Sequence, residues 1–130
     1  MELTIPQLLR WRVQQTGEKV ALREKDFGTW NCYTWNVYYD YVRKTGLGLH
    51  RLGVQKGDTI ALIGDNIPEM LFMAIGAQAI GAVSAAIYQT TMPEEISQLL
   101  GYMKVSMVFC DDQEQVDKLV EIRDRAHELG

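Results

Sequence analysis

The chain has 130 residues, of which 47% are hydrophobic and 23% charged, a balance that supports one folded domain and excludes a disordered or disulfide-stapled class. Thirteen basic against seventeen acidic residues leave a net charge of −4 with no basic patch, which argues against a nucleic-acid partner. No apolar run approaches the roughly 18 residues of a membrane-spanning helix, and Met1 to Arg12 lack the basic-then-apolar order of a secretory leader.

Three segments share one local grammar. Thr4-Ile5-Pro6-Gln7, Asn66-Ile67-Pro68-Glu69 and Thr91-Met92-Pro93-Glu94 each read as capping residue, apolar residue, proline, then an amide or acid. Proline is tolerated there because first-turn N–H groups have no helical partner, and a Thr or Asn side chain can accept from one of them. The two Thr versions match a capping box. Helices are therefore predicted to start near residues 5, 67 and 92.

The first helix, about 5–16, places Leu8, Leu9, Trp11 and Val13 on its apolar side and stops at Gly17. Val20 to Arg23 and Trp30 to Tyr33 read as strands of a hairpin turned at Asp26-Phe27-Gly28. Thr34 caps a long helix, about 35–52, with Trp35, Tyr38, Tyr39, Val42, Leu49 and Leu52 as apolar members. A βαβαβα pattern follows. Its strands are predicted at Thr59–Ile63, Ala82–Ile87 and Val105–Cys110. Its helices are predicted at 67–79, 93–103 and 113–128. The first of these helices is apolar nearly all round, which predicts burial. In the last, Val116, Leu119, Val120 and Ala126 are expected inward, with Glu114/Lys118 and Glu121/Arg125 as outward pairs. Near-continuous apolar strands alternating with helices indicate an α/β fold with a parallel sheet covered on both faces. The expected division is helix, hairpin and long helix over 1–57, then the βαβαβα unit over 58–130.

Few motifs bear on chemistry. Gly46-Leu47-Gly48 lacks the third glycine and the preceding strand of a dinucleotide fingerprint, so these glycines are read as close helix packing. Asp65 and the pair Asp111-Asp112 follow apolar strands. Carboxylates at strand ends can hold Mg²⁺, as in a phosphoacceptor receiver domain, but a receiver's acidic pair follows its first strand. The plainer reading is that Asp112 caps the last helix and that Asp65 or Asn66 starts the buried one. His50 is read as surface or half-buried on the long helix, and His127 as lying at a helix C-terminus. With no His or Cys neighbour at ligand spacing, zinc is not expected. Cys32 and Cys110 sit among apolar neighbours and read as reduced structural thiols of a cytoplasmic protein. The cluster Tyr33, Trp35, Tyr38, Tyr39 and Tyr41 could line an apolar ligand surface, and its plainer reading is hairpin-on-helix packing. No phosphate loop and no Ser-His-Asp or Cys-His set is visible, so the residues alone assign no catalytic, cofactor-binding or metal position.

The order of these short motifs carries a resemblance. Thr4 to Leu9, Val20-Ala21-Leu22, Tyr33-Thr34-Trp35, Gly48-Leu49, Leu52-Gly53-Val54, Gly57-Asp58, Asn66-Ile67-Pro68-Glu69, Gly81-Ala82-Val83, Tyr88-Gln89-Thr90, Pro93-Glu94-Glu95 and Val108 to Asp112 occur in the order found at the start of AMP-forming acyl-CoA synthetases. The chain resembles the long-chain fatty acid group most. It departs from many members at Met70, Ala86 and Gln89. The resemblance implies a parent enzyme that activates a fatty acid with ATP and Mg²⁺ to an acyl-adenylate and passes the acyl group to CoA. The family's phosphate loop, adenine and ribose motifs and adenylation lysine match nothing here. The resemblance therefore implies an N-terminal piece of a larger synthetase domain ending at Gly130. That piece is expected to be inactive alone, to bind none of these cofactors tightly and to self-associate. The parent is expected in the cytoplasm or peripheral to a membrane. A stand-alone receiver-like binding or signalling module is the alternative.

Overall fold

A computed structural model describes residues 2–128; Met1, Leu129 and Gly130, the ends of the 1–130 assignment, lie outside them. The elements run α1 (Ile5–Thr16), β1 (Val20–Asp26), β2 (Thr29–Thr34), α2 (Trp35–Arg51), β3 (Thr59–Gly64), α3 (Pro68–Ala79), β4 (Val83–Tyr88), α4 (Pro93–Tyr102), β5 (Val105–Cys110) and α5 (Gln113–Glu128).

Helix starts follow the proline grammar, but the caps differ. Thr4 forms the full box: its hydroxyl accepts from Gln7 N–H, and Gln7 Oε1 accepts from Thr4 N–H at 2.9 Å. Thr34 likewise accepts from Val37 N–H at 3.2 Å. Helices α3 and α4 instead begin after Ile67 and Met92, with no side-chain cap, so Asn66 and Thr91 do not cap them. Proline already removes one orphan donor at each start, and Glu69, Glu94 and Glu95 set negative charge against the positive dipole end.

β1 and β2 pair antiparallel, with Asp26 opposite Thr29, leaving the two-residue turn Phe27-Gly28. Both turn residues have positive φ, 44° and 82°. This is the turn that matches strand twist, although Phe is an unusual occupant. The hairpin is a sheet of its own. It packs through Ala21, Leu22 and Tyr33 onto a cluster of Leu9, Tyr38, Val42 and Phe72.

The second sheet is parallel, in the order β4-β3-β5. In central β3, Ile60, Ala61 and Ile63 are fully buried and Leu62 is 3% exposed. Alternation sends Ile60 and Leu62 to one face, beneath Leu49, Val54 and Ala77 of the α2–α3 layer. Ala61 and Ile63 face the other side, with Ile87, Ile96, Leu119 and Ile122 around them under α4 and α5.

Several inward assignments are corrected. On α1 only Leu9 is buried; Leu8 and Trp11 are half exposed. Leu52 and Leu71 are exposed, so α3 is not buried all round. On α5 the sheet side is Gln115, Lys118, Leu119 and Ile122, while Val116, Val120 and Ala126 lie outside. Lys118 is only 16% exposed, though it still approaches Glu114 at 3.7 Å. Arg125 and Glu121 form the outward pair that was predicted.

Helices α2 and α3 cross where each offers a glycine. A Cβ built on Gly46 would lie 3.0 Å from Gly76 O, and one on Gly76 would lie 2.9 Å from Thr45 Cγ2 and 3.1 Å from Gly46 N. Gly48, in contrast, faces open space, so only Gly46 of the Gly46-Gly48 pair serves close packing. Gly76→Ala is therefore expected to cost about 1–3 kcal/mol through overpacking. Gly48→Ala should be neutral or stabilise by up to about 1 kcal/mol through helix propensity. Urea-unfolding midpoints of the two variants check this; equal midpoints would contradict the crossing geometry.

Candidate functional site

At the switch point of an open parallel sheet, the loops leaving neighbouring strand ends diverge to opposite faces, and ligands bind in the crevice between them. Here that edge carries Gly64 at the end of β3 with Asp65 after it, Tyr88 at the end of β4 with Gln89 after it, and Asp111 and Asp112 after β5. A cleft of about 550 Å³ opens beside it, between α3 and the outer strand β4. Met70, Leu71 and Ala74 of α3 form one wall and Ala86 and Tyr88 of β4 the other, with Asp65, Asn66 and Gln89 as the polar members of the lining. Its charge is distinctive: Asp65 is the one ionisable carboxylate in the lining, and no Lys or Arg lines it.

The three strand-end carboxylates do not converge. Asp111 Oδ2 accepts from the Asp65 backbone N–H at 2.7 Å. Asp112 Oδ1 accepts from Gln115 N–H at 3.0 Å, the N-capping role expected of it. Asp65 Oδ1 accepts from its neighbour Asn66 N–H at 2.7 Å and starts no helix. Each of these three oxygens is held by backbone, and among the described residues no group of three or more His, Cys, Asp or Glu could hold a metal ion. The receiver-like alternative is accordingly not supported. Its acidic pair would have to face one pocket, whereas Asp111 ties the β3–α3 loop and Asp112 caps α5.

Asp111 fits because Gly64 has no side chain. A Cβ there would fall 2.4 Å from Asp111 Cγ. The second Asp111 oxygen, Oδ1, is buried without a hydrogen-bond partner among the described residues. Next to it, burial first and then the Asp111 and Asp112 charges push the Cys110 thiol above its ordinary value. Cys110 is half-buried and unpaired as expected; Cys32 is also unpaired but exposed, against the apolar surroundings expected for it. His50 and His127 are exposed in the last turns of α2 and α5.

Two other hollows lie away from the strand ends. A groove of about 290 Å³ between α1, α2 and the end of α3 is lined by Pro6, Tyr39, Leu47 and Ile80, with Arg10 and Arg43 beside them. A smaller one, about 230 Å³, lies against the aromatic cluster. Tyr41 stacks on Phe72 at 4.7 Å, Tyr33 meets Phe72 edge-on at 5.7 Å, and the Tyr33 hydroxyl donates to Glu24. These contacts are the hairpin-on-helix packing read from the sequence. The cleft itself was missed. Its residues come from three segments whose only sequence signal is Gly64, a glycine ending an apolar strand.

The AMP-binding enzyme family profile matches residues 9–129. Among curated proteins, the chain is 29% identical over 119 residues to the long-chain-fatty-acid–CoA ligase ACSBG1 of Bos taurus, covering 92% of this chain and 16% of that one. It is 29% identical over 120 residues to the ligase ACSBG2 of Rattus norvegicus, covering 92% of this chain and 18% of that one. The chain thus spans under a fifth of these relatives' length. In fold it matches the N-terminal domain of FACL13 from Mycobacterium tuberculosis with a TM-score of 0.86 at 24% identity, covering 94% of this chain and 30% of that one.

Gly64→Ala should displace the Asp111 carboxylate and release Asp65 N–H, at a combined cost of about 2–4 kcal/mol from overpacking and one lost charge-assisted hydrogen bond. Thermal unfolding of this variant provides the check, and an unchanged Tm would show that Asp111 does not depend on the missing Cβ.

Proposed function

The chain belongs to the AMP-binding enzyme family, and on that premise we propose that it forms part of a long-chain fatty acid–CoA ligase. In such a ligase a fatty acid is activated with ATP to an acyl-adenylate and pyrophosphate, and the acyl group passes to the CoA thiol. The observation that carries this reading is the match of the AMP-binding family across 9–129, together with relatives named as long-chain-fatty-acid–CoA ligases. Residues 1–57 and 58–130 are then two parts of one subdomain, consistent with Leu49 and Val54 packing in one cluster with Ile60 and Leu62.

The contribution of this chain is an apolar surface. The strand-end cleft is lined mostly by apolar side chains, with Asp65, Asn66 and Gln89 as its polar members, which suits an apolar ligand such as a hydrocarbon chain. Asp65 would repel a phosphate there and no Lys or Arg is part of the lining, so the described lining does not fit ATP or the phosphates of CoA. Nor do the described residues fit Mg²⁺, since no group of three or more His, Cys, Asp or Glu among them could hold a metal ion. No catalytic step is assigned to any of these side chains.

Two narrower readings accompany this. No described helix is long and apolar enough to cross a membrane. Phe27, fully exposed at the hairpin tip beside half-exposed Trp30, supports peripheral contact with a lipid surface. The unpaired outer edges of β4 and β5 support self-association of the chain. Vesicle co-sedimentation and sedimentation velocity test the pair; no lipid-bound fraction and a monomer at every concentration would remove both.

The ligase reading is tested by grafting. Residues 9–129 are exchanged for the matched segment of the Rattus norvegicus ligase, and ATP–pyrophosphate exchange with palmitate is measured. Exchange by the chimera and none by the 130-residue chain is the expected result. A folded but inactive chimera, or exchange by the chain alone, would contradict it.

A further inference from the structure

The β1–β2 hairpin carries side chains that its own folding does not require. Every residue from Lys25 to Cys32 is exposed. At the tip, Phe27 is fully exposed and holds φ at 44°. A turn of this kind favours Asn or Asp before its glycine, and a bulky side chain at positive φ is strained. Phe27 therefore neither eases the turn nor packs on the described residues. A local rule broken without a gain in packing marks a position kept for something outside the fold.

The register sorts the strands into two faces, because residues directly opposite in an antiparallel pair share a face and successive residues alternate. Leu22 and Tyr33 lie opposite each other and pack on the core, and the Tyr33 hydroxyl donates to Glu24 on the same side. The pairs Arg23–Cys32 and Lys25–Trp30 consequently face away from the core. Lys25 Nζ lies 5.9 Å from the Trp30 ring centroid, which holds cation and indole together on that face. Among the described residues neither Arg23 nor Lys25 forms an ion pair, and the strand carboxylates Glu24 and Asp26 belong to the opposite face. A chain with a net charge of −4 thus presents one outward face with two cations, an indole, no carboxylate and, at its end, a phenyl ring.

Area separates the possible occupants. A two-residue tip and two cross-strand pairs fall short of the roughly 800 Å² per side of a standard protein interface. A bilayer needs no such area: aromatic rings settle at its headgroup level, and cations beside them gain from an anionic leaflet. We propose that the outward face of the β1–β2 hairpin docks on a bilayer surface of anionic headgroups, with Phe27 inserted and Arg23 and Lys25 against the headgroup charge. The proposal rests on the reading of peripheral lipid contact and adds to it the face and the charge of the lipid.

The test is co-sedimentation of the 130-residue chain, at low salt, with vesicles of phosphatidylcholine alone and of equal parts phosphatidylcholine and phosphatidylserine. The unsubstituted chain should bind the phosphatidylserine vesicles several-fold more tightly, and added salt should erase the difference. Phe27→Asn is the main variant because Asn suits the turn. Its Tm should equal or exceed that of the unsubstituted chain, so that weaker binding is not unfolding. It should weaken binding to the phosphatidylserine vesicles about tenfold or more. Arg23→Gln with Lys25→Gln should weaken that binding about tenfold and leave the weaker binding to phosphatidylcholine unchanged, and Arg23→Lys with Lys25→Arg should keep the preference. Equal binding to both vesicles, weakened on both by Phe27→Asn, would overturn the anionic assignment while the lipid-contact reading survives. Binding to neither would remove that reading and the proposal together. Unchanged binding by Phe27→Asn would place the contact elsewhere on the chain, and self-association in sedimentation velocity that this variant abolishes would assign the face to a second copy; either result would overturn the proposal.

Discussion

Strand β3 is enclosed on every side, and that enclosure dictates the rest. Its two edges are hydrogen-bonded to β4 and β5, and four consecutive residues, Ile60 to Ile63, are almost completely shielded from water. A strand buried on both faces requires two helical layers, so α2 and α3 must lie on one side and α4 and α5 on the other. Parallel pairing then forces every strand to end at the same edge. The loops from β3 and β4 diverge there, and the crevice between them is a consequence of topology rather than of any one side chain. Because two of the described strands are edges, the cleft lies at the border of the sheet, with Tyr88 of β4 almost fully exposed beside it.

Local chemistry made most of the elements legible. Pro6, Pro68 and Pro93 marked three helix starts to within a residue, and the bounds of β5 and α5 followed from Val105–Cys110 and from Asp112 as a cap. Burial direction was less legible, for a physical reason visible in α5. Its sequence carries two apolar stripes, Val116 with Val120 and Leu119 with Ile122, and periodicity cannot choose between them. The choice is tertiary: turning the Leu119 side inward brings Gln115 and Lys118 with it, and both find polar partners at the β4–α4 loop. The helix tolerates Val116 and Val120 in water in exchange for that contact. The caps failed for a similar reason, since proline already supplied part of what Asn66 and Thr91 were expected to provide.

The site was the least legible part. Gly64 meets Asp111 across 47 positions, and neither residue announces the other. A strand-end carboxylate can be read from sequence as a ligand or as a helix cap; here Asp112 is the cap, while Asp65 and Asp111 are hydrogen-bonded to backbone in the β3–α3 loop. That outcome fits a chain whose resemblance to acyl-CoA synthetases extends over nearly its whole length but includes none of the family's phosphate-handling motifs. The lining of the strand-end cleft is mostly apolar, with Asp65 as its one carboxylate and no Lys or Arg.

The most direct measurement is photo-crosslinking of the chain with a long-chain fatty acid that carries a diazirine near its methyl end, followed by peptide mapping. Label within residues 62–89 that unlabelled palmitate displaces is the expected result, because those residues supply the cleft lining. Displaceable label confined to the groove between α1 and α2, or outside 62–89 altogether, would contradict the assignment of the strand-end cleft as the hydrocarbon site.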